Sequence, residues 1–415
     1  MEGFGRGEIE LERQLVILLV ILLVVLALTM ASAPKYAPTF APRGGRPRGR
    51  RARDASSGPA RASASAEPFT RDEAECARAA LAEARADGRN KFYEEMKDAP
   101  GRLPYRRVDE ARVSTSLHNG QLKLQMGEIE FLTKYGHLSD TVVYVAAAPG
   151  VHTPYLAKLF PRHTFHLYDP APFRMALSRH PEVADRIHAT QAFFTDETAR
   201  EWADRSRDRP VLLINDIRAA SDDMPYEEFE SRVAADNESQ RRWYRIIRPA
   251  AAMIKFRWPF TTKTPTGTAT YLKGRFMTQA FPPVMSAETR LMVEGPDAPD
   301  VEHDYREYEE KMFYHNLITR NWCVYQHNVP IAKDGASAGV VGLDHCYDCC
   351  RMIDIWREYM TAAGEKPTGN AIAAHINATL RTIDRTLVGK AHGRLPDEPV
   401  AERRRALGAF VPADL

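Results

Sequence analysis

Cysteine is scarce in this chain: five residues in 415, an odd number. Cys346, Cys349 and Cys350 bunch together, so the disulfide framework of a small secreted protein is excluded and a reducing compartment is favoured. The run His345-Cys346-Tyr347-Asp348-Cys349-Cys350 offers soft ligands. It lacks the second ligand pair, set apart by a loop, that a structural zinc site uses, so no metal is expected. Internal repeats are lacking too. Net charge is nearly absent, with 57 Lys and Arg against 55 Asp and Glu, but that balance hides a cluster at Arg43, Arg46, Arg48, Arg50, Arg51, Arg53 and Arg61. What is present is an ordinary globular composition, 44% hydrophobic and 27% charged, enough to bury a full core.

From the N-terminus, residues 1–14 read as a short leader and residues 15–33 as a transmembrane helix, long enough to cross a hydrocarbon layer of about 30 Å. A cleaved signal peptide would need a basic leader. Here Glu2, Glu8, Glu10 and Glu12 outnumber Arg6 and Arg13, and Pro34 follows the small-residue site Ala31-Ser32-Ala33. The arginines beyond the span imply a membrane-anchored protein whose bulk faces the cytosol. Residues 34–68, rich in Arg, Pro and Ala, read as a disordered tether, and residues 69–98 as a polar helix capped by Thr70 or Asp72. Residues 99–345 form the main domain, and residues 346–415 a tail of no assigned role.

Within the main domain a helix is expected from Gln121 to Tyr135, with Leu122, Met126, Ile129 and Leu132 spaced three and four apart. A β-rich run, Thr141 to Val145, leads through the small-residue turn Ala146-Ala147-Ala148-Pro149-Gly150 into a helix carrying Tyr155, Leu156 and Leu159. That is the opening unit of a doubly wound α/β fold. Further strands are expected at Phe165 to Tyr168, Val211 to Ile214, Met253 to Phe256 and Arg290 to Val293, and a helix over residues 305–320, giving a mostly parallel sheet.

Such sheets bind ligands beyond the carboxyl ends of their strands. The turn after the first strand, Asp169 after the second, Asp216 after the next and Lys255 near the end of the following one are therefore the first candidates. Singly, each carboxylate also fits a capping or solvated role. A lysine at a strand end is costly to desolvate, so Lys255 reads either as one half of an ion pair or as a base.

The residues from Gly120 to about Cys323 resemble the poxvirus cap-specific mRNA 2′-O-methyltransferase family, whose members also serve as the small, processivity subunit of the viral poly(A) polymerase. The matching blocks are Gly120-Gln-Leu-Lys-Leu with Gly127-Glu-Ile-Glu-Phe-Leu, Val142-Val-Tyr-Val with Ala148-Pro-Gly, Asp216-Ile-Arg, Lys255-Phe-Arg with Pro259-Phe260, Ser286-Ala-Glu-Thr-Arg-Leu, and Tyr308-Glu with Lys311-Met. They span about half the chain, in order. The resemblance implies a Rossmann-like, S-adenosylmethionine-dependent methyltransferase acting on the 2′-hydroxyl of the first transcribed nucleotide of capped mRNA. It also implies infected-cell cytoplasm or the virion as the place of action. The alternative from another class is a non-catalytic RNA-binding subunit that supports a poly(A) polymerase catalytic subunit.

By the same resemblance Lys123, Asp216, Lys255 and Glu288 form a catalytic Lys-Asp-Lys-Glu tetrad. Lys255 is the general base, with Lys123 a nearby second cation and the two carboxylates orienting the amines. Gln121, Tyr144, Ala146, Gly150, Asp169 and Thr195 fall around S-adenosylmethionine. Tyr105, Arg257, Phe260, Ser286 and Glu309 fall at the cap and RNA site, where aromatic plates hold a cationic base by cation–π attraction. Three positions depart from the family: Ala146 replaces a glycine, Ala171 an arginine and Thr262 a carboxylate.

Overall fold

The computed structural model describes residues 69–108, 118–221, 223–259, 267–333, 339–385 and 387. Alternation of side chains along β-rich runs produces its central sheet. Strands β1 (Thr141–Val145), β2 (Thr164–Tyr168), β3 (Ile187–Thr190), β4 (Leu212–Asn215) and β5 (Ala251–Phe256) are parallel. Next come β6 (Thr268–Leu272), β7 (Arg275–Met277), β8 (Thr289–Glu294) and β9 (Asp300–Asp304), and then a short parallel pair, β10 (Ile331–Ala332) and β11 (Val340–Val341). β8 joins β5 antiparallel and β7 joins β8, giving the order β3-β2-β1-β4-β5-β8-β7, while β6 and β9 pair apart. The order reverses between β1 and β4, so the loops after these two strands open the crevice where such sheets bind ligands.

The helices are α1 (Arg71–Asp87), α2 (Gly120–Tyr135), α3 (Thr153–Leu159), α4 (Asp196–Arg205), α5 (Tyr226–Ile247), α6 (Tyr305–Tyr314), α7 (Tyr347–Ala362) and α8 (Gly369–Thr382). α6 runs on through a π-helical turn, His315–Thr319, to Trp322. They form two layers, and the strands serve both. Val142, Tyr144, Leu212, Ile214, Met253 and Met292 enter one core, with Met126 and Ile129 of α2, Trp356 of α7 and Ile372 of α8. Their neighbours Val143, Val145, Leu213, Ile254, Leu291 and Val293 enter the other, with Trp202 of α4, Tyr244 of α5 and Met312 of α6.

Several elements differ from the sequence reading. The polar helix stops at Asp87, not near 98, because Gly88 takes a left-handed φ of 71° and ends it. Its Thr70 and Glu73 make a reciprocal capping box. β3 was not anticipated: it is an edge strand, Ile-His-Ala-Thr, with only its isoleucine buried. α7 and α8 arise from the C-terminal stretch that carries little helical periodicity. The fold class needs one correction as well. It included an N-terminal transmembrane helix, yet among the described residues no helix is long and apolar enough to cross a membrane, and residues 15–33 lie outside the described residues.

α7 packs against α2, which is buried nearly all round rather than along one stripe. Buried charge pairs lock this layer. Arg351 of α7 holds Glu130 of α2 at 2.6 Å, and Asp348 of α7 holds the Arg320 guanidinium at 2.9 Å. Arg320 also donates to the carbonyls of Pro282 and Val284, tying the loop before β8 to both helices. Removing one partner of such a pair strands the other in a dry interior. Asp348→Ala should therefore lose about 3 to 5 kcal/mol in urea unfolding, and Asp348→Asn, which keeps an acceptor, clearly less.

Candidate active site

Four elements bring one charged cluster together. Asn119 caps α2 by accepting the Leu122 amide at 3.2 Å, which fixes the helical turn that presents Lys123. Asp216 directly follows β4, its N–H donating to the Val145 carbonyl of β1. Lys255 is the penultimate residue of β5. Glu288 immediately precedes β8, with its amide bonded to the Ser286 hydroxyl and its carbonyl to the Gln279 amide.

The side chains converge. Lys123 pairs directly with Glu288. The Lys255 ammonium lies 3.4 Å from Asp216 and 3.8 Å from Glu288. A fifth group, Arg290, was missed by the sequence reading: it donates to Asp216 at 2.6 Å and stands 3.9 Å from Glu288. Its signal was present in the strand alternation. Arg290 shares a face with Met292, the face turned to the core, and a charge there needs a partner. In the β5–β8 register it sits directly opposite Lys255, a like-charge pairing that the two carboxylates make tolerable.

Burial alone would raise both carboxyls, but the cations win. Lys123, Lys255 and Arg290 hold Glu288 well below the usual carboxylate range, and Lys255 and Arg290 hold Asp216 below its ordinary value. Lys123 goes the other way. Burial pulls its amine below the ordinary value despite Glu288, and Arg290 and Lys255 add to the fall. One ion pair thus shifts both its members downward, because burial outweighs attraction for the lysine and the crowd of cations outweighs burial for the carboxyl.

Beneath this cluster Glu128 of α2 is fully buried. It accepts from the Tyr144 hydroxyl at 2.5 Å and pairs with His152 at 2.8 Å. Burial lowers the imidazole's proton affinity, but Glu128 more than restores it. The Tyr144 hydroxyl is thereby committed to Glu128. Neither Glu128 nor His152 was singled out from the sequence, since their partners lie far along the chain.

The remaining expected cofactor residues line the β1 and β2 ends. Ala146 has φ 61°, a left-handed conformation that costs an L-residue roughly 1 to 2 kcal/mol, at the place where the family resembled has glycine. Gly150 also has positive φ, 64°, and a Cβ there would meet Met175 at 3.1 Å. Asp169 accepts the amides of Ala148 at 3.0 Å and Ala171 at 2.8 Å. Gln121 keeps a buried side-chain oxygen with no hydrogen-bond partner among the described residues. Thr195 is exposed and caps α4.

The expected cap residues are more scattered. Arg257 is engaged bidentately by Glu230 at 2.8 and 2.9 Å and lies over the Phe229 ring. The Ser286 hydroxyl takes the Glu288 amide. Glu309 of α6 is half-buried, and burial pushes its carboxyl up. Tyr105 is exposed and meets Phe313 edge to face. Phe260 and Thr262 lie outside the described residues.

Fold and site together define a Rossmann-like α/β protein with its reactive side chains at the carboxyl ends of β4 and β5 and the start of β8. The chain belongs to the poly(A) polymerase regulatory subunit family, whose model matches residues 90–334. Two relatives, from Myxoma virus strains Lausanne and Uriarra, are named cap-specific mRNA (nucleoside-2′-O-)-methyltransferase. Each is 29% identical over 248 residues, 55% of this chain and 65% of theirs. The chain thus spans just under two thirds of the length of these curated relatives. A solved structure of a SAM-bound amino pentose methyltransferase from Micromonospora echinaspora is 14% identical, covering 46% of this chain and 80% of that one. Its TM-score of 0.20 is too low to bear on fold or function.

The lowered carboxyl of Glu288 fixes the sign of a pH effect. A group with depressed folded-state affinity for protons stabilises the fold above its unfolded value, 4.5 here, and loses that contribution as pH falls below it. Glu288→Gln should cost about 3 kcal/mol or more at pH 7, where it leaves Lys123 buried and unpaired. The gap between mutant and wild type in denaturant titrations should narrow below pH 4.5.

Proposed function

We propose that this chain transfers a methyl group from S-adenosylmethionine to the ribose 2′-hydroxyl of the first transcribed nucleotide of capped mRNA. The observation that carries the reading is the meeting of Lys123, Asp216, Lys255 and Glu288 at the switch side of the sheet, in the pairing a 2′-hydroxyl needs. The names of the two viral relatives support it.

The residues present fit S-adenosylmethionine. Gly150 takes a positive φ in the turn after β1 where a side chain would be strained, and the unpartnered Gln121 oxygen stands ready for a ligand donor. Asp169 is held firmly enough by two amides to receive a ribose diol. When bound, the cofactor supplies a methyl group already activated on a sulfonium. The protein's own task is alignment and removal of one proton. Lys255 is the residue placed to take the 2′-hydroxyl proton. Asp216 and Glu288 orient its amine from two sides, Arg290 anchors Asp216, and Lys123 anchors Glu288. Glu309 and Phe260 are assigned to the cationic cap base on the strength of the family resemblance.

The family description supports a second role, as a regulatory partner of a poly(A) polymerase catalytic subunit. Stimulation of such a polymerase by a methylation-dead variant separates the two.

Labelled S-adenosylmethionine and short capped RNA test the main reading directly. Lys255→Ala should lower methyl transfer about 10²- to 10⁴-fold, roughly 3 to 5 kcal/mol of barrier, with cofactor affinity nearly unchanged. Lys255→Arg should be nearly as poor, because arginine stays protonated. Wild-type turnover in either variant, or equal methylation of RNA already blocked at the 2′-oxygen, refutes the assignment. Phe260→Ala should weaken binding of capped RNA by about one to two decades and leave uncapped RNA unaffected.

A further inference from the structure

α7 begins at Cys346, whose sulfur accepts the Cys349 amide at 3.5 Å in place of an oxygen cap. The chain folds back just before it. One carboxylate oxygen of Asp344 accepts the Cys346 amide at 2.9 Å, and the Asp344 amide points at the Cys349 sulfur at 3.5 Å. These bonds gather three donor side chains, Asp344, Cys346 and Cys349, with all three ligand atoms within 4.8 Å of one another. No disulfide joins the two cysteines, and no cation pairs with Asp344 among the described residues. Asp344 and Cys346 are half-buried and Cys349 is buried, so a small ion can enter from one side.

We infer that Asp344, Cys346 and Cys349 bind a zinc ion, with water in the fourth position. Helix geometry brings residues three apart onto one face, so a Cys-x-x-Cys pair at the first turn aims both sulfurs the same way. Zinc–sulfur bonds of about 2.3 Å at tetrahedral angles separate two sulfurs by about 3.8 Å, within the observed bound. The carboxylate makes the donor set one for zinc rather than for a bare thiol pair. The aspartate two residues upstream takes the place of the second ligand pair whose absence from the sequence argued against a metal. The ion would clamp the 344–346 turn to α7, the helix whose Asp348 and Arg351 hold the layer over α2. It is independent of methyl transfer.

The test uses the whole chain, purified under reductant, incubated with zinc chloride and desalted before metal analysis. One zinc per chain is expected, none in the Cys346→Ser/Cys349→Ser double variant. Asp344→Asn should bind more weakly by over the roughly tenfold that loss of an outer-shell partner costs. Zinc should raise the wild-type Tm by about 5 °C at a concentration 1,000-fold above Kd. Cys346→Ser alone separates this role from simple capping. Serine is the better cap, so a cap-only thiol predicts an unchanged or higher Tm, whereas a zinc ligand predicts that the zinc-dependent rise disappears. Absence of zinc from the wild type, or its retention by the double variant, overturns the inference.

Discussion

The site depends on two carboxylates sharing three cations in a largely buried cleft. Lys123, Lys255 and Arg290 repel one another, and without Asp216 and Glu288 between them none could be buried together. Each carboxylate therefore does two things: it compensates charge, and it sets direction. Glu288 joins a helix to a strand edge, and Asp216 joins two neighbouring strands. A cluster of this kind has few other arrangements of comparable energy, and that rigidity is what alignment-driven chemistry requires.

The cluster is held from behind as well. Glu128 ties α2 to β1 through Tyr144 and to the first loop through His152, so the helix that presents Lys123 is fixed to the loop that would receive a cofactor. Ala146 adds strain in that loop where a glycine would have none. The packing around it must supply what the residue type does not.

Much of this was legible because it is local. Short β-rich runs marked β1, β2, β4, β5 and β8, and small residues marked the turn after β1. The four charged residues came from ordered motifs rather than from any single position. What was not legible depends on register or on distant partners. Arg290 meets Lys255 only through the β5–β8 pairing, and His152 finds Glu128 only when α2 lies on the sheet. α7 was missed for a related reason. A helix buried on most of its circumference, carrying Asp348 and Arg351 inside, has no polar face to set its period. The apolar run at 15–33 was read from composition alone, and lies outside the described residues.

The cover that α7 gives α2 has a consequence for where the folding unit ends. The family match stops at residue 334, before α7 begins. Cut there, the chain would leave Glu130 of α2 without its arginine. The helix that carries Lys123 would lose the helix packed against it. The stretch that the family model matches thus stops short of a helix that packs on α2. A lineage that altered its C-terminal helices would be retuning the seat of a reactive lysine without touching any motif.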